Sequence, residues 1–342
     1  MKINTKDFGE NSTLITVENE AGVSISFCNL GARIVDWVVE GKNIVLGFDR
    51  ANDYLEKDSY PGATIGRTAG RIKDGIVEIS GKKNQLVQNE GLQTLHGGND
   101  SFDKRFWSFE TFNDGDVAGV HFDLISADGD NGYPGVLKVR VTYSFDEQNQ
   151  WRIDYRAISD KDTVFNPTNH VYFNLTGDFG QVIDDHELRL KASRFVPLKD
   201  KTEVVRGDIE EVAGNDLDFR AGVSLAQALE SQMEQVKLVG GIDHPFLLDA
   251  PGDLSHEQAH LSYGDLSVSV RTDFPSLVVF TANFGDAGVI SRGKKIVNHG
   301  AITFEAQVSP GSEQLPELGN ITLKAGEVYR ATTIYQLTKE GN

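Results

Sequence analysis

The 342 residues hold 51 Asp and Glu against 33 Lys and Arg, a formal charge of −18, which repels nucleic acid phosphates and anionic lipid and points to a neutral small molecule as partner. No apolar run is long enough to cross a bilayer, and Met1–Asp7 lacks the apolar stretch of an export signal, so a cytoplasmic location is expected. The single cysteine, Cys28, has no partner for an internal disulfide and reads as a small packed hydrophobe.

Along the chain, residues of alternating polarity recur at period two. Val23, Ile25 and Phe27 share one face, followed by a strand over Arg33–Val39, then Val120–Ser126, then Leu137, Val139, Val141 and Tyr143 on a common face. Trp151–Ile158, the run through Leu266, Val268 and Val270, Leu277–Asn283 and Glu327–Leu337 continue the pattern with β-branched and aromatic residues. The 35 glycines, with clusters such as Asp128–Gly135, supply the tight turns between them. Only Ser224–Gln235 reads as helical, with Leu225, Ala228, Leu229 and Met233 at helical spacing behind a Ser224 cap. One helix cannot cover a parallel sheet, and no Gly-rich phosphate-binding motif follows a strand, so a nucleotide cofactor is not expected. With no linker, repeat or composition break, residues 1–342 are expected to form a single domain, an all-β antiparallel β-sandwich with few short helices.

Four segments place titratable residues beside Gly, Pro, Asn or aromatic neighbours at strand ends: Leu95–Gly98 with His96, Asn166–Leu175 with His170, Gly241–Phe246 with Asp243, and Phe304–Gln307 with Glu305. A fifth, Gly66–Ile72, carries Arg67 and Arg71. Singly, each has an ordinary structural reading: a histidine satisfied by one hydrogen bond, an Asp243 turning the chain before Pro245, a Glu305 on the wet face of a strand, an Arg71 in a surface ion pair. Spacing alone does not bring them together.

Several motifs in order do so by likeness. Asn29–Ala32 (Asn-Leu-Gly-Ala), Gly66–Ile72, Leu95–Gly98, Asp128–Gly135, Thr168–Leu175 and the Asp-His-x-Phe at Asp243 together resemble the aldose 1-epimerase (galactose mutarotase) family over essentially the whole chain, and its bacterial members most. The resemblance implies a galactose mutarotase-like supersandwich with a sugar in an open cleft, and His170 and Glu305 as the acid–base pair. It also implies that Arg71, His96 and Asp243 hold sugar hydroxyls and that Phe280 offers an aromatic face. No cofactor and no metal are implied. The expected substrate is a free hexose, galactose or glucose, and the chain a monomer or homodimer. Two departures stand out: Gly70, where many members have Asn, and the less aromatic stretch Ala306–Gly311. Both bear on sugar preference.

The implied chemistry suits the residue types. Interconverting anomers removes the proton of the anomeric hydroxyl and gives one to the ring oxygen, so that the ring opens to an aldehyde and recloses on the other face. A glutamate, with a reference pKa of about 4.3, can take the first proton, and a histidine, near about 6.5, can give the second. Four other readings compete: a glycosidase using Asp243 and Glu305, a metal site built from His96, His170, Asp243 and Glu305, a hexose-phosphate epimerase, and a non-catalytic sugar-binding module.

Overall fold

A computed structural model describes residues 1–202, 204–285 and 289–340. Among these, three antiparallel sheets carry the architecture. The first is a meander of Lys2–Gly9, Ser12–Glu18, Ser24–Cys28, Arg33–Val39 and the two-residue Lys42–Asn43. The second has nine strands, with Ser108–Asn113, Val117–Ser126, Leu137–Asp146 and Gln150–Ser159 in sequence order, then Val328–Lys339 returning from the far end of the chain beside Gln150–Ser159. The third, of six strands, sets Tyr172–Phe173, Ile302–Gln307, Ser276–Phe280 and Asp243–Leu247 side by side. The all-β, antiparallel expectation holds, and no helix among the described residues is long and apolar enough to cross a membrane.

Strand formation follows the alternation. In Leu137–Asp146 every second residue from Leu137 to Phe145 is buried and the intervening ones are exposed or partly so, the pattern of a sheet with one face on a core and one in water. All three sheets contribute to a single cluster of buried side chains. At its centre Trp37 of the first sheet meets Trp151 of the second edge to face at 6.1 Å and Phe173 of the third at 6.4 Å, and Tyr335 stacks on Trp151 at 5.1 Å. Such aromatic pairs add about 0.5–1.5 kcal/mol each beyond the area they bury. Cys28 is buried, as expected.

The expected helix over Ser224–Gln235 is corrected. Val223–Ser224 is a strand, and two short helices follow, Ala226–Leu229 and Glu234–Val239. The Ser224 hydroxyl does accept the Ala226 amide at 3.2 Å and donates to the carbonyl of Asp184, but the hydroxyl of Ser231 takes the amide of Met233 at 3.0 Å and ends the first turn. A hydroxyl that captures a nearby backbone amide competes with continued helix. A further short helix, Ala51–Glu56, was not legible from periodicity.

Two buried side chains lock the loops above the third sheet. The Tyr143 hydroxyl donates to the carbonyl of Ala32 at 2.6 Å and receives the Asn169 amide at 2.9 Å, while Thr64 stands 2.8 Å away. Asn169 also donates to the carbonyl of Gly62 at 2.8 Å. Removing the hydroxyl in Tyr143→Phe leaves an amide hydrogen of Asn169 without its acceptor in a dry core, while Thr64 still donates to the Ala32 carbonyl, at a cost of about 1–3 kcal/mol. Urea denaturation of the variant is expected to show that loss; an unchanged midpoint would show that the network contributes nothing net.

Candidate active site

The third sheet presents two faces. In Ile302–Gln307 all six residues are buried: Ile302, Phe304 and Ala306 join the core, and Glu305 and Gln307 line a cavity on the opposite face. The neighbouring strands repeat this, with Leu277 and Val279 inward against Val278 and Phe280 outward, and Phe246 inward against Asp243 and Pro245 outward. Register aligns them in rows, Pro245 beside Val278 beside Glu305, and Asp243 beside Phe280 beside Thr303 beside Tyr172. A slip of one residue would send Glu305 into the core. The cavity holds about 280 Å³, just below the roughly 300–1,000 Å³ usual for ligand pockets.

The other wall comes from loops held by two-residue strand pairs. Thr168–Asn169 pairs with Thr64–Ile65, and His170 continues that ladder, its amide donating to the carbonyl of Ala63 and its carbonyl accepting the amide of Gly62, each at 2.9 Å. Arg71–Ile72 pairs with Thr94–Leu95, which sets His96 against Gly70. His96 takes a positive φ of 49°, and Gly97 behind it has no room for a side chain, since a Cβ there would stand 2.1 Å from the carbonyl oxygen of Gly66.

All six residues singled out from the sequence line this one cavity: Glu305, His170, Arg71, His96, Asp243 and Phe280. Glu305 and His170 are both nearly fully buried, and Oε1 of the carboxylate lies 3.3 Å from Nε2 of the imidazole. Thr303, two residues before Glu305 on the same face, donates to Oε1 at 3.2 Å, and Gln307, two residues after, donates to Oε2 at 3.4 Å. Arg71 is fixed by a bidentate pair with Glu90 at 2.6 and 2.9 Å. Arg67, the other guanidinium of its segment, turns away into the core and donates to the carbonyls of Ser126, Ala127, Pro134 and Gly135. Phe280 packs edge-on to Phe284 at 5.6 Å and to Tyr172 at 6.1 Å.

The sequence reading missed Tyr60 and Asp58, whose loop carries no strand or motif signal, and Glu90 as the clamp on Arg71. It also passed over Tyr172 and Gln307, both inside quoted motifs and both legible from their alternation with Phe173 and Phe304. Tyr60 stacks on His170 at 5.9 Å and meets His96 edge-on at 4.8 Å. Burial pushes the Tyr60 hydroxyl up and likewise raises the Asp58 carboxyl.

Histidine protonation is set by backbone contacts. The amide of Gly70 donates to Nδ1 of His96 at 3.2 Å, so the ring proton sits on Nε2. Burial, then His170 and Arg71, drives the His96 pKa well below its usual value. Next to Asp243, His244 accepts the Asp243 amide at Nδ1 (3.2 Å) and faces Gln235 with Nε2 (3.2 Å); burial lowers it to about 3. His96, His170 and Glu305 offer ligand atoms within 4.8 Å of one another, a spacing open to a divalent cation. The hydrogen bond from Gly70 opposes metal ligation, because it leaves His96 with a donor where a metal needs a lone pair. This set suits a hydroxylated ligand better.

Because burial penalises the imidazolium, protonating His96 or His244 requires a pH far below about 6.5. Proton–nitrogen correlation NMR is expected to find both rings neutral from pH 8 down to 5. Protonation of either in the folded chain above pH 5 would contradict the hydrogen-bond assignment.

Comparison with known proteins gives a consistent set of likenesses. The family model described as aldose 1-epimerase matches residues 13–336. An aldose 1-epimerase of Escherichia coli (strain K12) is 34% identical over 342 residues, covering 97% of each chain, and a galactose mutarotase of Sus scrofa is 35% identical over 293 residues, 85% of this chain and 82% of that one. The crystal structure of galactose 1-epimerase from Lactobacillus acidophilus NCFM superposes with a TM-score of 0.90 at 32% identity, covering 100% of both chains.

Proposed function

The chain belongs to the aldose 1-epimerase family, an isomerase family whose reaction interconverts the anomers of a sugar, and from that premise we propose that its substrates are free hexoses and that Glu305 and His170 are the acid–base pair. The observation that carries the pairing is the 3.3 Å approach of an imidazole to a carboxylate, both buried in one small cavity though 135 residues apart in the chain. The names of the relatives, galactose mutarotase and galactose 1-epimerase, favour galactose among the hexoses.

In this scheme Glu305 takes the proton of the hydroxyl on C1 while His170 gives one to the ring oxygen. The C1–O5 bond breaks, the electron pair leaves with O5, and C1 becomes an aldehyde. After rotation about C1–C2 the ring closes on the opposite face, with His170 recovering its proton from O5 and Glu305 returning one to the new hydroxyl. Both groups end as they began, so the cycle is balanced without an external reductant or oxidant. Thr303 and Gln307 hold the carboxylate by its two oxygens, which fixes it before the sugar arrives and lowers the orientational cost of the transition state. Arg71, His96 and Asp243 hold the hydroxyls of the unreacting part of the ring, and Phe280 packs against its apolar face.

Polarimetry on freshly dissolved α-D-galactose and α-D-glucose tests this. Glu305→Gln and His170→Asn are each expected to lower the enzymatic rate by about 10²–10⁴; retention of more than a tenth of the activity by either would remove it from the pair. Asp243→Asn is expected to act differently, raising KM severalfold with a smaller change in kcat, since its contact persists from bound sugar to transition state. A fall in kcat alone would place Asp243 in the chemistry rather than in binding.

A further inference from the structure

Gln307 carries a polar atom that the acid–base scheme leaves unused. Its side chain is wholly buried and lines the cavity. Nε2 donates to Glu305, but the carboxamide oxygen Oε1 has no hydrogen-bond partner among the described residues. A buried acceptor without a donor is unfavourable, and folded proteins hold few. The adjoining wall shows why no side chain fills the role. Gly70 has no side chain, and the point where its Cβ would stand is 3.4 Å from Oε1 of Gln307 and 2.4 Å from Cγ of Pro310. Pro310 occupies that space and has no N–H to offer.

The place of this acceptor along the site follows from the carboxylate. Glu305 turns Oε1 toward Nε2 of His170 and Oε2 toward Nε2 of Gln307, so the base stands between the imidazole and the carboxamide. A pyranose presents its groups in a matching order: ring oxygen, then the hydroxyl on C1, then the hydroxyl on C2. With His170 at the ring oxygen and Glu305 at the C1 hydroxyl, the group next in line faces Gln307.

We propose that Gln307 is the specificity-determining residue for the C2 hydroxyl, whose O–H donates to Oε1 while Nε2 stays on Glu305. The inference rests on the assignment of Glu305 and His170 given above, and adds to it a substrate requirement: the sugar must carry a hydroxyl beside the reacting carbon. Binding that hydroxyl also braces the base, because a carboxamide held at its oxygen is fixed at its nitrogen too.

The test compares α-D-galactose with its 2-deoxy and 6-deoxy analogues, using rates of anomer interconversion corrected for the spontaneous reaction, in the wild type and in Gln307→Met. For the wild type, kcat/KM is expected to be at least about tenfold lower on the 2-deoxy sugar than on galactose, as for a site that loses the hydroxyl it was built to bond. In Gln307→Met that ratio is expected to shrink to within about threefold, with the 6-deoxy to galactose ratio unchanged, since a methionine has no carboxamide oxygen to lose a partner. Each ratio is taken within one protein, so partial unfolding of the variant cancels. A variant that loses activity equally on all three sugars while keeping the wild-type ratios would show a purely structural Gln307 and overturn the proposal. A wild type that handles the 2-deoxy sugar as well as galactose overturns it with no variant needed. The acid–base reading fails separately, through retained activity of Glu305→Gln or His170→Asn.

Discussion

A β-strand has two faces, and the strand Ile302–Gln307 cannot spare either. Phe304 and Ala306 close the core beneath the third sheet while Glu305 and Gln307 stand in the cavity above it. The hydrogen-bond ladder with Ser276–Phe280 fixes both assignments at once. Packing of the core therefore determines the height and direction of the carboxylate, and the Tyr335 hydroxyl, donating to the carbonyl of Phe304 at 2.8 Å, ties the same strand to the nine-stranded sheet. The burial that stabilises the fold also removes water from the carboxylate and imidazole, which strengthens their mutual interaction.

The opposite wall is loop, and its rigidity has a different origin. Two buried guanidinium groups satisfy backbone carbonyls. Arg33 donates to the carbonyls of Leu30, Ser59, Pro61 and Asp103, which secures the turn that carries Tyr60. Arg67 gathers the carbonyls of residues 126–135 in the same way, and burial pulls it down to about 10, still charged at neutral pH. A planar fork with five donors suits irregular chain better than a single point charge does, because each N–H meets a carbonyl that no ladder would otherwise satisfy. Asn166 completes the arrangement, exchanging two hydrogen bonds with the backbone of Val308 at 2.9 Å each and joining the His170 segment to the end of the Glu305 strand.

What could be read beforehand divides along the same line. β-branched and aromatic content gave Arg33–Val39 with its observed bounds, and together with period-two alternation it gave most long strands within a few residues, because a half-buried strand writes its environment into every second position. It located Glu305 on a strand but could not show that the second face was also covered, since coverage depends on loops remote in the chain. The helix over Ser224–Gln235 misled because the Ser231 hydroxyl, invisible to a count of apolar spacing, captures the backbone amide of Met233 between the two short helices. His170, His96, Arg71, Asp243 and Phe280 were assembled by likeness to a family rather than from spacing, and Tyr60 and Asp58 had no local signature because long-range contacts, not their own neighbours, put them in the cavity. Gln307 was within reach of the alternation argument, one step beyond Glu305 on the same face.

The approach of His170 to Glu305 also bears on how the cavity is assembled. The two segments share a cavity because Ile302–Gln307 pairs with Tyr172–Phe173 on one side and Ser276–Phe280 on the other, and because Trp37 of the first sheet packs against Phe173. No half of the polypeptide contains the site, and loop closures of this length are the slow part of assembling an all-β chain. The cavity is therefore complete only where long-range strand pairs have formed, and local structure alone does not assemble it.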